Sequence, residues 1–163
     1  MTKIGLLSDT HGWLLEQYTS FFADCDEIWH AGDVGNIEVV EKLEVKAKIR
    51  AVYGNIDGWD IRHTCPEYQF FELDGVRVLI IHIGGYPNRY EKRALELIEK
   101  YKPKLFISGH SHILKVLYDK KHDLLHINPG AAGRSGFHVK KTMVRFDLEK
   151  GNIANLEVFE IAK

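Results

Sequence analysis

Cysteine is nearly absent from this sequence. Two occur in 163 residues, Cys25 and Cys65, far apart and in no CxxC pair. That excludes a disulfide-stapled domain and a thiolate zinc clip, and both thiols are expected to be reduced and to fill core space. Long apolar runs are missing too. None approaches the ~20 residues that would span a bilayer, and Met1-Thr2-Lys3 runs straight into a strand pattern without the apolar core of a signal peptide. The expectation is a cytoplasmic protein with no membrane contact. Nor is there an excess of either charge: 22 Lys and Arg stand against 23 Asp and Glu, for a net charge of −1. The pairs Lys120-Lys121 and Lys140-Lys141 are short enough to be solvated strand ends, and no nucleic-acid-binding patch is evident. Repeats and low-complexity tracts are absent. What remains is an ordinary globular composition, 45% hydrophobic and 28% charged. It is expected to form one domain over residues 1–163.

The first third alternates apolar strands and amphipathic helices. Strand patterns at Ile4–Leu7, Glu27–His30 and Lys48–Tyr53 flank helical patterns at Trp13–Ala23 and Ile37–Leu43. Such a β-α-β-α-β series argues for parallel pairing with right-handed crossovers. The texture then changes. Tyr68–Leu73 and Val76–Ile81 are joined by Asp74-Gly75, a strong hairpin signal. Tyr90–Tyr101 carries a helical stripe of Tyr90, Ala94, Leu97, Ile98 and Tyr101, with Pro103 beyond its end. Short strands follow at Leu105–Ser108, Ile113–Tyr118, Leu124–Ile127, Val139–Leu148 and Ile153–Ile161, with a turn at Asn128-Pro129-Gly130. The fold class is α/β with mixed sheets.

The polar residues just past these strands carry the chemistry. Gly109-His110-Ser111-His112 follows Leu105-Phe106-Ile107-Ser108 and places two imidazoles one residue apart, so that both can address one point. Four more strands end in the same way, with Asp9 and His11, Asp33, Asn55, and His82. In open α/β sheets ligands sit outside the carboxyl ends of the strands, so these loops can converge although they lie over a hundred positions apart. The set offers carboxylate, carboxamide and imidazole but no thiolate, which suits Mn²⁺, Fe, Zn²⁺, Ni²⁺ or, less well, Mg²⁺. Asp9, His11, Asp33, Asn55, His82, His110 and His112 exceed what one ion needs once water and substrate have places. Two divalent ions sharing a carboxylate would use them all, and their net positive site suits a phosphate ester.

Asp9-x-His11, Gly32-Asp33, Gly54-Asn55-x-Asp57, His82 and Gly109-His110-x-His112 occur in the order found in calcineurin-like metallophosphoesterases. The spacing in so short a chain is similar to the small bacterial and archaeal phosphodiesterase branch of the YfcE type. The resemblance covers the chain from Ile4 to the C-terminal hairpin. It implies a four-layer α/β/β/α sandwich and two divalent metal ions, Mn²⁺ foremost. Asp9, His11, Asp33 and His112 would hold the first ion, and Asp33, Asn55, His82 and His110 the second, with Asp33 bridging. Asp33, Asn55, Asp57 and His82 would stand closest to the catalytic step, in which a hydroxide shared by the ions attacks phosphorus in line. Many relatives carry a histidine after the Gly-Asn asparagine; here the residue is Ile56, which can neither protonate a leaving oxygen nor bind phosphate. This departure fits the small branch and favours a diester with a good leaving group.

The expected activity is therefore that of a metal-dependent phosphodiesterase acting on a small phosphoester, in a chain that could form a homo-oligomer. Phosphomonoesterase or protein phosphatase activity is the nearest alternative. A protein-binding scaffold is the other, since a relative in the retromer coat uses this fold mainly for assembly. Such a role tolerates eroded ligands, and none of the seven is missing here. His30 reads as a buried structural histidine, and His63, His122, His126 and His138 as structural or surface residues. Trp13, Trp59 and Tyr86 read as ordinary packing. Arg62, Arg89 and Arg134 are each placed to hold phosphate, with nothing in the sequence to choose among them.

Overall fold

A computed structural model describes residues 1–163. Two five-stranded mixed sheets lie face to face. The first is built from β1 (Thr2–Leu7), β2 (Glu27–His30) and β3 (Lys48–Ala51), which pair in parallel, and is extended beside β1 by an antiparallel C-terminal pair. Their crossovers contain α1 (Tyr18–Phe21) and α2 (Ile37–Lys46). After α3 (Trp59–Thr64) the chain enters the second sheet through the hairpin of β4 (Tyr68–Leu73) and β5 (Val76–Ile81), turning at Asp74-Gly75. A small ribbon of β6 (Gly85–Tyr86) and β7 (Arg89–Tyr90) leads to α4 (Lys92–Tyr101). Then β8 (Leu105–Ile107), β9 (Leu114–Asp119) and β10 (Leu124–Pro129) complete the order β4-β5-β8-β10-β9. The last strands, β11 (Lys140–Glu149) and β12 (Asn152–Ala162), return to the first sheet in the order β12-β11-β1-β2-β3.

Three apolar layers hold these elements together. Between the sheets, Ile4, Leu6, Trp29, Val78, Ile80, Leu105, Ile107 and Phe146 form the central core. Leu7, Phe22, Ile28, Val40 and Leu43 bind the first sheet to the residues of α1 and α2, and Leu79, Ala94, Leu97, Ile98 and Phe106 bind the second sheet to α4. Alternate residues of one strand, such as Leu6 and Leu7, therefore serve different cores, which is why the parallel strands read as continuous apolar runs. Three apolar interfaces separate four layers, the α/β/β/α sandwich. Buried Glu27 and Trp29 would be costly without partners; the Trp29 indole donates to Glu27 at 2.8 Å and the Arg50 guanidinium donates to the same carboxylate at 2.8 Å.

Several sequence expectations need correction. The helix expected over Trp13–Ala23 is only one turn, Tyr18–Phe21, because Gly12 at φ 79° turns the chain out of the ligand loop and Leu15 is buried from irregular backbone. Tyr90 belongs to β7, and α4 starts at Lys92. The third strand stops at Ala51 rather than Tyr53. β10 continues through Pro129, so the expected turn begins only at Gly130, φ 74°. Cys65 is buried as expected, but Cys25 is partly exposed.

Candidate metal centre

The carboxyl ends of β1, β2, β5 and β8 and the loop after β3 deliver the expected donors to one place. Asp9, His11 and His112 bring ligand atoms within 4.8 Å of one another, and so do Asp33, His82 and His110. Asn55 lines the same cleft as His82. The two groups meet through the carboxylates. His112 Nε2 lies 3.2 Å from Asp9 Oδ1, and His82 Nε2 lies 3.2 Å from Asp33 Oδ2. His11 Nε2 sits between them, 3.8 Å from Asp9 Oδ1 and 3.5 Å from Asp33 Oδ2. The rings form two matching edge-on pairs, His11 with His112 and His82 with His110, each with centroids 5.3 Å apart.

Each carboxylate spends one oxygen on the protein and leaves the other free. Asp9 Oδ2 accepts the Ser8 hydroxyl at 2.7 Å and the His110 amide at 3.1 Å. Asp33 Oδ1 accepts the Ile56 amide at 3.1 Å. His82 Nδ1 is 2.7 Å from the Ala31 carbonyl, which fixes the ring with Nε2 toward the carboxylates. As a result Asp9 Oδ1, His11 Nε2 and His82 Nε2 are buried with no hydrogen-bond partner. Orphaned buried polar atoms of this kind each cost about 1–3 kcal/mol. A divalent cation is the group whose chemistry satisfies two carboxylate oxygens and several imidazole nitrogens together, so the residues fit metal ions.

Electrostatics make the same demand. Burial alone would raise the Asp9 carboxyl, but His11 and His112, the charge of His82 and the Ser8 hydroxyl outweigh it and hold it well below the carboxylate range. Burial also opposes ionisation of Asp33, and His82 overcomes it. In return Asp9 raises His11, and Asp33 and Asp9 lift His82 against its burial. The carboxylates and the two imidazoles that they raise, His11 and His82, thus favour each other's charged forms.

The loops are held tightly and under strain. Asp9, His11, Asp33, His110 and His112 all have φ between 47° and 73°, a region that costs non-glycine residues of order 1 kcal/mol or more each. Backbone bonds stitch the first two loops together: Asp9 donates to Gly32 O, His11 to Asp33 O and Gly12 to Val34 O. His30 reinforces this stitch. Its Nδ1 accepts the Gly32 amide at 3.1 Å and its Nε2 lies 3.0 Å from Thr10 Oγ1, which donates to Val34 O. Burial lowers the His30 pKa to about 4, which keeps it neutral for this work.

Asp57 takes a different part from the one the sequence suggests. Its carboxylate accepts the amides of Gly35 at 2.8 Å, Val34 at 3.1 Å and Gly54 at 2.8 Å. With both oxygens on backbone, it positions Asp33 and Asn55 by tying their loops. Arg62 does similar work: it donates to the carbonyls of Asp57 and Gly54 and stands over the Tyr53 ring. Trp59 is not packed inside but 75% exposed, stacked on His63.

The residue missed by sequence reasoning is His138, whose ring meets His112 edge-on with centroids 5.1 Å apart. It lies beyond the last ligand motif and follows no strand end. The loop before it is pressed close to the centre at Gly136, φ 130°, where a Cβ would stand 2.3 Å from His112 Nδ1. Two clefts open at the centre, one of about 390 Å³ beside Asn55 and His82 and one of about 450 Å³ beside His110 and His112.

Comparison with known proteins agrees with this arrangement. A family model described as a calcineurin-like phosphoesterase superfamily domain matches residues 2–151. A probable metallophosphoesterase of Methanothermobacter thermautotrophicus is 31% identical over 136 residues, covering 78% of this chain and 76% of the relative. A solved structure described as a novel archaeal phosphodiesterase superposes with a TM-score of 0.72 at 26% identity, over 99% of both chains. Vps29 of Chaetomium thermophilum reaches a TM-score of 0.77 at 13% identity, over 99% of this chain and 97% of that one, a likeness of fold.

Proposed function

The chain belongs to the calcineurin-like phosphoesterase superfamily, and from that premise we propose that it is a phosphodiesterase working with two divalent ions, Mn²⁺ foremost. The observation that carries the reading is the pair of donor groups with their orphaned atoms, Asp9 Oδ1, His11 Nε2 and His82 Nε2. Asp9, His11, Asp33 and His112 would hold one ion, and Asp33, Asn55, His82 and His110 the other. Bound there, such ions supply an acidified water as nucleophile and Lewis-acid stabilisation of charge on the phosphoryl oxygens. An oxygen and nitrogen donor set without thiolate supports Mn²⁺.

The chain's own residues contribute position and charge. Asp33 Oδ1 is fixed by the Ile56 amide, so its Oδ2 is presented between His11 and His82. The fixed tautomer of His82 keeps its Nε2 in place. Ile56, 47% exposed beside Asn55, offers no proton to a leaving oxygen. Esters whose leaving group departs without a proton from that position are therefore favoured. Diester over monoester is also supported by the archaeal phosphodiesterase, 26% identical over nearly the whole chain.

The test is hydrolysis of bis-p-nitrophenyl phosphate by protein reconstituted with Mn²⁺, with p-nitrophenyl phosphate alongside at the same metal and pH. Turnover is expected to favour the diester, to vanish with chelator and to be lost, together with bound metal, in Asp33→Ala. Fully metal-loaded protein inert toward both esters would refute the reading, and a preference for the monoester would replace it with a phosphomonoesterase.

A further inference from the structure

Resting on that reading, we infer that the cleft beside His110 and His112 is a subsite for a planar aromatic ring on one arm of the phosphoester. The cleft measures about 450 Å³ and is lined by His110, Ser111, His112, Ile113, Phe137 and His138, with Gly136 at its wall. Its volume falls in the range of small-molecule sites and suits one ring system or a nucleoside. Two of its walls are apolar and unclaimed by the fold. Phe137 is fully exposed and Ile113 is 56% exposed, and neither belongs to any of the three cores. No other aromatic ring packs on Phe137, so a face is left for a ligand.

The loop that carries Phe137 is fastened at several points. A Cβ at Gly136 would collide with His112, so the backbone there is pressed against a donor of the first metal group. His138 Nε2 is 2.7 Å from the Gly133 carbonyl, and Gly133 in turn donates its amide to Asp9 O at 3.1 Å. The Lys163 ammonium donates to Gly136 O, and the Lys163 amide to Val139 O at 3.1 Å. A phenyl ring held in water by a tethered loop, next to ligands of both ion groups, is placed to stack on whatever a bound phosphate carries. Ser111 adds a hydroxyl at the floor: its oxygen accepts the Ile113 amide and the Asn128 side-chain amide, so its own proton is free to donate. Phosphate held by the ions would fix the head of the substrate, and this cleft would select the arm.

The chemistry is shared by an aryl ester and a nucleoside, and the ligands chosen separate them. Calorimetric titration of Mn²⁺-loaded protein with methyl phosphate, phenyl phosphate and thymidine 5′-monophosphate reads binding without turnover. Phenyl phosphate is expected to bind about tenfold more tightly than methyl phosphate, and Phe137→Ala to erase that gap while leaving methyl phosphate and metal content unchanged. Thymidine monophosphate at least as tight as phenyl phosphate would support a nucleoside arm, and weaker would support an aryl arm. Equal binding of methyl and phenyl phosphate by the native protein, or a gap that survives in Phe137→Ala, would overturn the subsite and leave the phosphodiesterase reading standing. Failure of all three to bind metal-loaded protein that still hydrolyses bis-p-nitrophenyl phosphate would overturn the subsite alone, and inertness toward that diester and toward p-nitrophenyl phosphate as well would overturn both.

Discussion

Replacing Asp57 separates a positioning role from a chemical one. Its carboxylate is the shared acceptor for the amides of Val34, Gly35 and Gly54, at 2.8–3.1 Å, and it is 4% exposed. Asp57→Ala leaves all three donors without that acceptor. At about 1–3 kcal/mol per unsatisfied group, and allowing for partial hydration of the gap, the loss should be about 4 kcal/mol. In a domain of this size that lowers Tm by roughly 10 °C. Asp57→Asn is graded. Its oxygen can stay on Val34 and Gly54, but its amide then faces the Gly35 N–H donor to donor, for a loss of about 2 kcal/mol. Urea unfolding of metal-free protein measures both losses, and Mn²⁺ titration of the folded variants measures the consequence. Because the tie runs to the Asp33 and Asn55 loops, metal affinity should fall in the same order, Ala below Asn below native. Asp57→Ala within 1 kcal/mol of the native protein would refute the reasoning. So would a variant that binds both ions normally but fails to turn over, since that result would put Asp57 in the chemistry.

Two further perturbations test the centre and the core. In Gly54→Ala the new methyl would sit 2.0 Å from Asp33 Oδ1 and 2.3 Å from Asp33 N, so the carboxylate must move; elemental analysis should show metal content falling from two ions to one or none, and two retained ions would refute this. His126, fully buried with Nδ1 3.1 Å from Phe106 O, has its pKa pushed down to about 4 by burial against an ordinary 6.5. The unfolded chain takes up that proton below 6.5 and the folded one only near 4, so stability present at pH 7 is lost as pH falls between those values. Metal-free native protein should lose about 2–3 kcal/mol more than His126→Phe between pH 7 and 4.5 by urea unfolding, and parallel losses in the two proteins would contradict it.

Much of this centre was legible because the strands that present it are buried on both faces. Once Leu6, Leu7, Ile28 and Trp29 are all claimed by cores, Asp9 and Asp33 become the first carboxylates the chain can offer beyond the strand ends. Periodicity therefore located the donors, while the layer order came with the family resemblance. It did less well where the backbone answers to the site. Trp13, Leu14 and Leu15 carry apolar side chains, yet the left-handed turn at His11 and Gly12 sets the direction in which the chain leaves, and only Tyr18–Phe21 closes a helical turn. The β6–β7 ribbon had a local signal that passed for loop: Pro87-Asn88, with Asn88 at φ 74° in the place where a tight turn needs a left-handed residue. Asp57 was found by its motif but not its role, since acceptors of backbone amides leave no pattern in sequence. His138 is brought to His112 by a loop whose path depends on tertiary contacts alone.

Three glycines explain why fragments so weak one by one become specific together. Each precedes a donor in its own motif, yet the space it leaves open belongs to a donor from another loop. A Cβ on Gly32 would stand 2.6 Å from His82 Nδ1; on Gly54, 2.0 Å from Asp33 Oδ1; on Gly109, 2.3 Å from Ser8 Oγ and 2.8 Å from Asp9 Oδ2. Gly-Asp, Gly-Asn and Gly-His are thus halves of contacts whose other halves lie 21 to 101 positions away. A mutation in one motif displaces a ligand in the next, so the loops cannot drift independently while the centre survives. The carboxylates and imidazoles alone would be consistent with any polar strand-end cleft. Their packing against glycines of neighbouring motifs, with five donors held at positive φ, requires that the donors be brought closer together than unpaired polar groups would tolerate. A ligand that all of them share would repay that approach, and divalent cations are ligands that their chemistry fits.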